Sequence, residues 1–398
     1  MSIVASSESS PAVSSKKQRL DFIEALRGLA ALYVVVYHLT QIPSPPLATP
    51  FWLTKIIDFG GSGVSLFFIV SAFTLTLSMR LHEQEAYPTR RFYLRRVFRI
   101  VPLFYVWSIL YWIRDKVFFH RTTTWMMLLL SSTFTFNLVP GYQPGFVWAS
   151  WTLGVEMLFY LFFPLIYRYI NNLLKASIFF AATIILSGLY SYLLHLYYHA
   201  ASKQPEMQTA FVLQRSLLHQ LPIFAMGMVA FYVFEKFIQN KSRPRSWGFL
   251  LLAASALGYA AAVNGNLKFF LDPIYWQAII YSLLLLGLSI FPWALFVNRL
   301  TLFWGKLSYS LYLNHPTLVF ALIPIYRKIY ALPIPIELKL GACFLLMIVL
   351  LTAISYVTYR FVEKPGMQLG TKLIQKFATH PVVSLPDNLE KPEPNVAS

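Results

Sequence analysis

Arg27 and His38 stand eleven residues apart inside an apolar stretch, residues 22–41. On a helix, eleven steps of about 100° bring a side chain back to within about 20° of its starting direction, ~16 Å further along the axis. One face of that helix would carry a cation near one end and an imidazole near the other. A pantetheine arm is of similar length, so a CoA held by its phosphates beside Arg27 would bring its thioester up to the imidazole. A snorkelling arginine and a histidine bonded to a neighbouring helix account for the same pair without chemistry. Glu24, three residues before Arg27, is placed to pair with it.

Three further groups of polar residues need a reason, because an ionisable side chain within a span costs at least a few kcal/mol. Glu156 follows Trp148-Ala-Ser-Trp151-Thr-Leu-Gly-Val and lies ~12 Å below the start of its block. At that depth it can meet His38 and hold the imidazole tautomer, or pair with an arginine of another span. The run Arg90-Arg91-Phe-Tyr-Leu-Arg95-Arg96-Val-Phe-Arg99-Ile-Val-Pro102 has five arginines and no lysine. Guanidinium suits bidentate phosphate contact, whether on CoA or on anionic lipid. In Ser308-Tyr309-Ser310-Leu-Tyr312-Leu-Asn314-His315-Pro316, Pro316 frees a carbonyl that Ser or Asn side chains can satisfy, which predicts a kinked helix. No His/Glu spacing of the zinc-enzyme kind is present, and His195, His199 and His219 fall near loop ends, so no metal is expected. Cys343 is the single cysteine, which excludes an intrachain disulfide.

The elements that must position these residues are membrane helices. The chain has 398 residues, 57% hydrophobic and 12% charged, against roughly 25% charged in soluble domains. Apolar blocks run at about 22–41, 59–79, 97–114, 122–138, 147–168, 176–198, 212–235, 247–263, 275–297, 302–325 and 338–361. Block 122–138 is short and rich in Thr and Ser. Placing the basic loops inside leaves it no room to cross, so it reads as re-entrant or interfacial. The expected fold is an all-α polytopic transmembrane bundle of about ten spans, with both termini cytoplasmic in a plasma (inner) membrane. The net charge of +17 then follows mostly from cytoplasmic loops, and nucleic acid is not expected as a partner. Residues 1–18 read as a disordered leader, 19–366 as the membrane domain, and 367–398 as a mostly disordered cytoplasmic tail.

Taken in order, these motifs resemble the acyltransferase-3 family of membrane O-acyltransferases, which acylate surface polysaccharides and related glycans. The resemblance rests on Leu20-Asp21-Phe-Ile-Glu24-Ala-Leu-Arg27-Gly28 with His38, on Phe67-Phe68-Ile-Val-Ser71-Ala72-Phe73, and on Arg96-Val-Phe-Arg99-Ile-Val-Pro102. It continues through Trp151-Thr-Leu-Gly-Val-Glu156 with Phe159-Tyr160, through Ser308 to Pro316, and to Glu363-Lys-Pro365. It implies a catalytic His38, and Arg27, Arg96 and Arg99 at an acyl-CoA donor, with acetyl-CoA the usual one. Glu156 is the carboxylate expected beside His38, and Ser71, Tyr309, Asn314 and His315 are the candidates for substrate contact. The acceptor implied is a glycan or lipid-linked sugar. Two residues depart from the family pattern: Ala72 replaces a usual glycine, and Asn314 often a tryptophan. A transporter of a lipid-linked sugar or small molecule would also carry polar groups inside spans. Thioester consumption separates the two.

Overall fold

The computed structural model describes residues 20–85, 87–201, 204–239, 241–267 and 272–378. Helices dominate them, and no strand occurs among the described residues. The leader (1–18) and residues 379–398 of the expected tail lie outside them.

Helix α1 is Asp21–Gln41. A short α2, Phe51–Asp58, leads through a 3-10 turn into α3, Gly63–Leu81. Then come α4, Pro88–Val117, and the nine-residue α5, Trp125–Thr133. Nine residues rise ~14 Å, too little to cross about 30 Å of hydrocarbon. Thr124 caps α5, its side chain accepting from the Met127 amide at 3.3 Å, and Phe134 closes it at a φ of 58°. The block set aside as re-entrant or interfacial is this short helix. The remaining elements are α6 (Trp151–Tyr169), α7 (Leu173–Ala201), α8 (Pro205–Gln214), α9 (Leu217–Val233), α10 (Arg245–Val263) and α11 (Pro273–Ile290). They are followed by α12 (Arg299–Lys306), α13 (Ser308–Tyr330), α14 (Ile336–Thr358) and α15 (Lys364–Ala378). Wider π-helical turns, Phe234–Ile238 and Tyr359–Glu363, follow α9 and α14.

Eight of these segments are long and apolar enough to cross a membrane. The two expected spans missing from that set are α6 and α13, at 19 and 23 residues. They have the length but not the apolarity, because they carry Glu156 and the Ser308–His315 polar run. Block 302–325 is not one helix. Asn298 starts α12 with a capping box, accepting from the Leu300 and Thr301 amides at 3.0 Å, and the helix breaks at Leu307. Residues 367–378, expected within the tail, belong to α15, which packs on α4 through Gly366 and Gly370 against Phe98.

Two buried clusters meet on α1. Phe22, Leu26, Ala30 and Val34 pack into a large core built from α3, α4, α6, α9 and α11. Ala31, Val35 and Leu39 pack into a second core with α13 and α14. Arg27 and His38 occupy the angular strip of α1 between those two sets, so neither side chain is surrendered to an apolar face.

Close backbone contacts fix α1 in place. A Cβ on Gly305 would lie 2.0 Å from the Glu24 carbonyl oxygen, and one on Gly28 would lie 2.6 Å from that of Thr301. Helix α12 therefore crosses α1 one turn from Arg27 with backbone against backbone. Gly305→Ala should lower thermal stability by at least the ~1–3 kcal/mol typical of overpacking, measurable as a drop in melting temperature in detergent. An unchanged melting temperature would mean the two helices can separate freely. The departure at Ala72 has a similar explanation. Its methyl is fully buried against Gly227, where an added Cβ would come within 2.8 Å of it. The missing glycine of α3 is matched by one on α9.

Candidate active site

Helices α1, α3, α4, α6 and α13 surround a cavity of about 70 Å³, smaller than the roughly 300–1,000 Å³ of small-molecule sites, so a whole donor molecule enters only as the helices part. Arg27, Arg96, Arg99, Ser71, Glu156, Tyr160, Ser308, Tyr309 and Tyr312 are among its lining. Four of these groups carry formal charge, three guanidinium groups and one carboxylate, a net charge of +2.

The arginine run divides by helical face. Arg91 and Arg95, four apart, turn to Glu85 at 2.8 and 3.1 Å. Desolvation pushes the Glu85 carboxyl up, but Arg91, His82 and Arg95 outweigh it and hold it below the usual carboxylate range. Arg96 and Arg99 turn into the cavity instead. The Arg96 guanidinium lies over the rings of Phe92 and Tyr160, at 5.9 and 5.7 Å, and its Nε is buried with no partner. Among the described residues, Arg27, Arg96 and Arg99 form no ion pair with a carboxylate within 4.0 Å. The expected Glu24–Arg27 pair does not form, and Glu24 Oε2 is itself buried without a partner. Ser308, fully buried, also leaves its hydroxyl unsatisfied. Buried polar groups are normally bonded; Arg96 and Ser308, both in the cavity lining, each keep one that is not.

Glu156 is bound, but not to His38. Ser71 Oγ donates to Glu156 Oε1 at 2.6 Å, and the Tyr160 hydroxyl, one turn on, donates to the same oxygen. The carboxylate is thus tied to α3 and to its own helix, and the expected pairing with His38 is replaced by another. His38 Nδ1 lies 3.0 Å from His315 Nε2 and 3.1 Å from the Val34 carbonyl. His315 Nδ1 lies 2.6 Å from the Tyr312 carbonyl. Proline at 316 has no N–H, so this is the carbonyl orphaned within α13. The sequence pattern pointed to Ser or Asn as its partner; the imidazole of His315 takes that place, and α13 runs unbroken from Ser308 to Tyr330.

Of the other candidates, Tyr309 lines the cavity while its hydroxyl donates to the Ile100 carbonyl at 2.7 Å. Asn314 does not face the cavity. It accepts from Trp107 Nε1 at 2.7 Å and donates to Ser355 and Thr358 at 3.2 and 3.1 Å. With its amide saturated, it is a tie between α4, α13 and α14. His315, fully buried, touches His38 and is not among the cavity lining. His38, half-buried, does not line the cavity either, contrary to the expectation of one passage shared with Arg27. The rings of Phe67 and Tyr312, 5.7 Å apart, both line the cavity, and Tyr312 packs on His315 at 5.5 Å. Thr152 donates to the Tyr312 hydroxyl at 2.8 Å and holds that ring in position.

Glu363, in the π turn after α14, is a buried carboxylate taking a bond from Ser310. It went unassigned in the sequence because it lies where an apolar block ends; its Glu-Lys-Pro motif was the available signal. One further grouping joins residues that the sequence placed near loop ends. His195 and His199 of α7 and Glu206 of α8 bring ligand atoms within 4.8 Å of one another. The last two are exposed, and the group is remote from the cavity lining.

Comparison with known proteins finds relatives along most of the chain. A chain of Acidianus two-tailed virus, provisionally named an acetyltransferase, is 26% identical over 304 residues, covering 74% of this chain and 81% of its own. A Staphylococcus aureus (strain COL) chain, provisionally named an O-acetyltransferase, is 24% identical over 396 residues, covering 90% of this chain. This chain spans 59% of that relative's length. No solved structure gives a significant match. The family described as an acyltransferase domain matches residues 20–360. The chain belongs to this acyltransferase-3 family, as a multi-pass membrane enzyme that transfers acyl groups.

Proposed function

We propose that the enzyme takes an acyl group, acetyl before others, from cytoplasmic acyl-CoA and passes it to a hydroxyl of a carbohydrate or lipid-linked sugar. The observation that carries this reading is the set of three guanidinium groups without carboxylate partners around one cavity. Phosphates of the donor supply the missing negative charge, in the bidentate geometry that arginine favours. Arg27, Arg96 and Arg99 hold the CoA head, and pantetheine runs along α1 toward its His38 end. The acceptor reaches the half-buried His38 from the opposite side of the membrane.

His38 acts as general base at Nε2. It removes the hydroxyl proton as the oxygen attacks the thioester carbonyl; the C–S bond breaks and CoA leaves as thiol, taking the proton back from the imidazole. Tyr312 lines the cavity and packs on His315 beside His38, and the thioester passes once this ring turns aside. Until then the base is shielded from donor, which limits loss of the acyl group to water.

Purified enzyme in nanodiscs, given acetyl-CoA and a panel of glycans, should release CoA thiol with a matching gain of one acetyl mass on a glycan. Acetyl-CoA should also bind without acceptor. Absence of binding at millimolar donor would overturn the reading, as would transport of sugar with the thioester untouched.

A further inference from the structure

Two carbonyl groups decide the protonation of the histidine pair. A carbonyl oxygen can only accept, so the contact between His315 Nδ1 and the Tyr312 carbonyl, at 2.6 Å, requires the proton on Nδ1. The neutral ring then presents a bare Nε2, which can only accept. His38 Nδ1, 3.0 Å away, has to be the donor across the pair. The Val34 carbonyl, 3.1 Å from the same His38 nitrogen, requires a proton there independently. Both constraints agree. In His38 they leave Nε2 as the lone-pair nitrogen, and it bonds to no protein group among the described residues.

The origin of this order is Pro316. An ordinary residue there would satisfy the Tyr312 carbonyl through its backbone, and His315 would be free to take either tautomer. Proline withholds that donor, a buried carbonyl is costly to leave unpaired, and His315 Nδ1–H is the group that pairs it.

We propose that His315 is a positioning residue. Anchored on the carbonyl that Pro316 orphans, it holds His38 in the Nδ1–H tautomer with Nε2 bare toward the acceptor. Which nitrogen of a histidine reacts is set by the bond the other makes. Here a neutral imidazole does what a carboxylate does elsewhere, without a buried negative charge. This rests on His38 being the general base, and the test separates the two.

His315→Leu removes the acceptor, and His315→Gln keeps one near the Nε2 position. His315→Leu should lower kcat by about 10–100-fold, the scale of lost orienting partners, with donor KM little changed, since His315 does not line the donor cavity. His315→Gln should recover a large part of kcat but leave the Tyr312 carbonyl short of a donor. Adding Pro316→Ala to His315→Gln gives that carbonyl a backbone N–H, so the double variant should be more stable and more active than His315→Gln alone. Nitrogen-15 spectra of histidine-labelled wild type should show His38 protonated at Nδ1 and bare at Nε2.

His38 found as the Nε2–H tautomer would overturn the proposal, as would His315→Leu at wild-type kcat. The expected tautomer in a wild type that transfers no acyl group would instead overturn the acyltransfer reading and leave the positioning intact. If His315→Leu misfolds, His315→Gln and its double variant still decide the matter. Loss in His315→Gln that Pro316→Ala does not relieve would sink the carbonyl anchor.

Discussion

His38→Asn enzyme should insert and purify like wild type but lose about 10²–10⁴ in kcat, the share that general-base catalysis commonly contributes. Asparagine is the sharper substitution because its amide nitrogen takes the place of Nδ1. It can still donate to His315 Nε2 and to the Val34 carbonyl, the two bonds His38 makes, while the basic Nε2 is gone. His38→Ala should lose as much activity but also strand the His315 nitrogen inside the bundle, at a cost of about 1–3 kcal/mol. Thiol release and donor affinity, measured alongside size-exclusion profiles, separate chemistry from folding. The donor site should survive in both variants, since His38 is not part of its lining. Activity in His38→Asn within a few-fold of wild type would remove the imidazole from the mechanism.

Much of this arrangement was legible from spacing. The eleven-residue interval puts Arg27 and His38 on one strip of α1, and the structure leaves that strip between two apolar cores. The short Thr- and Ser-rich block became the nine-residue α5. What could not be read were contacts that depend on how helices rotate against each other. The spacing put Glu156 at the depth of His38, but it lines the cavity with Arg27, where Ser71 and Tyr160 take it. Asn314 and His315 are adjacent in sequence and therefore about 100° apart on α13; one turns to α4 and α14, the other to α1. The break at Leu307 falls inside block 302–325, which the sequence offered as a single run. Helix α12 starts on its own capping box at Asn298 and is held apart from α13 by the crossing of Gly305 on Glu24 and Gly28 on Thr301. These are tertiary facts with little periodic signature. His195, His199 and Glu206 came together for the same reason, from two different helices.

The arginines of α4 should respond to neutralisation in two opposite ways, according to the face they occupy. Arg96→Gln and Arg99→Gln each remove charge-assisted hydrogen bonds, worth about 1.5–3 kcal/mol apiece, and should raise the donor Kd by roughly 10–100-fold. Affinity for 3′-dephospho-CoA should suffer less in whichever variant has lost the contact to that phosphate. Without donor, the same substitutions should raise the melting temperature, because each lowers the cavity's net charge from +2 to +1 and removes a cation that has no carboxylate partner. Arg91→Gln and Arg95→Gln should do neither. They break ion pairs with Glu85 on the other side of the helix, pairs exposed enough to be worth under about 1 kcal/mol, and leave donor affinity unchanged. Calorimetric titration with acetyl-CoA and thermal unfolding on the four variants test both halves. A structural role for Arg96 and Arg99 predicts lower stability and intact binding; an anion site predicts the reverse. Equal loss of donor affinity in all four would mean that diffuse positive charge, and not the cavity, attracts the donor, and that loss would then fade with added salt.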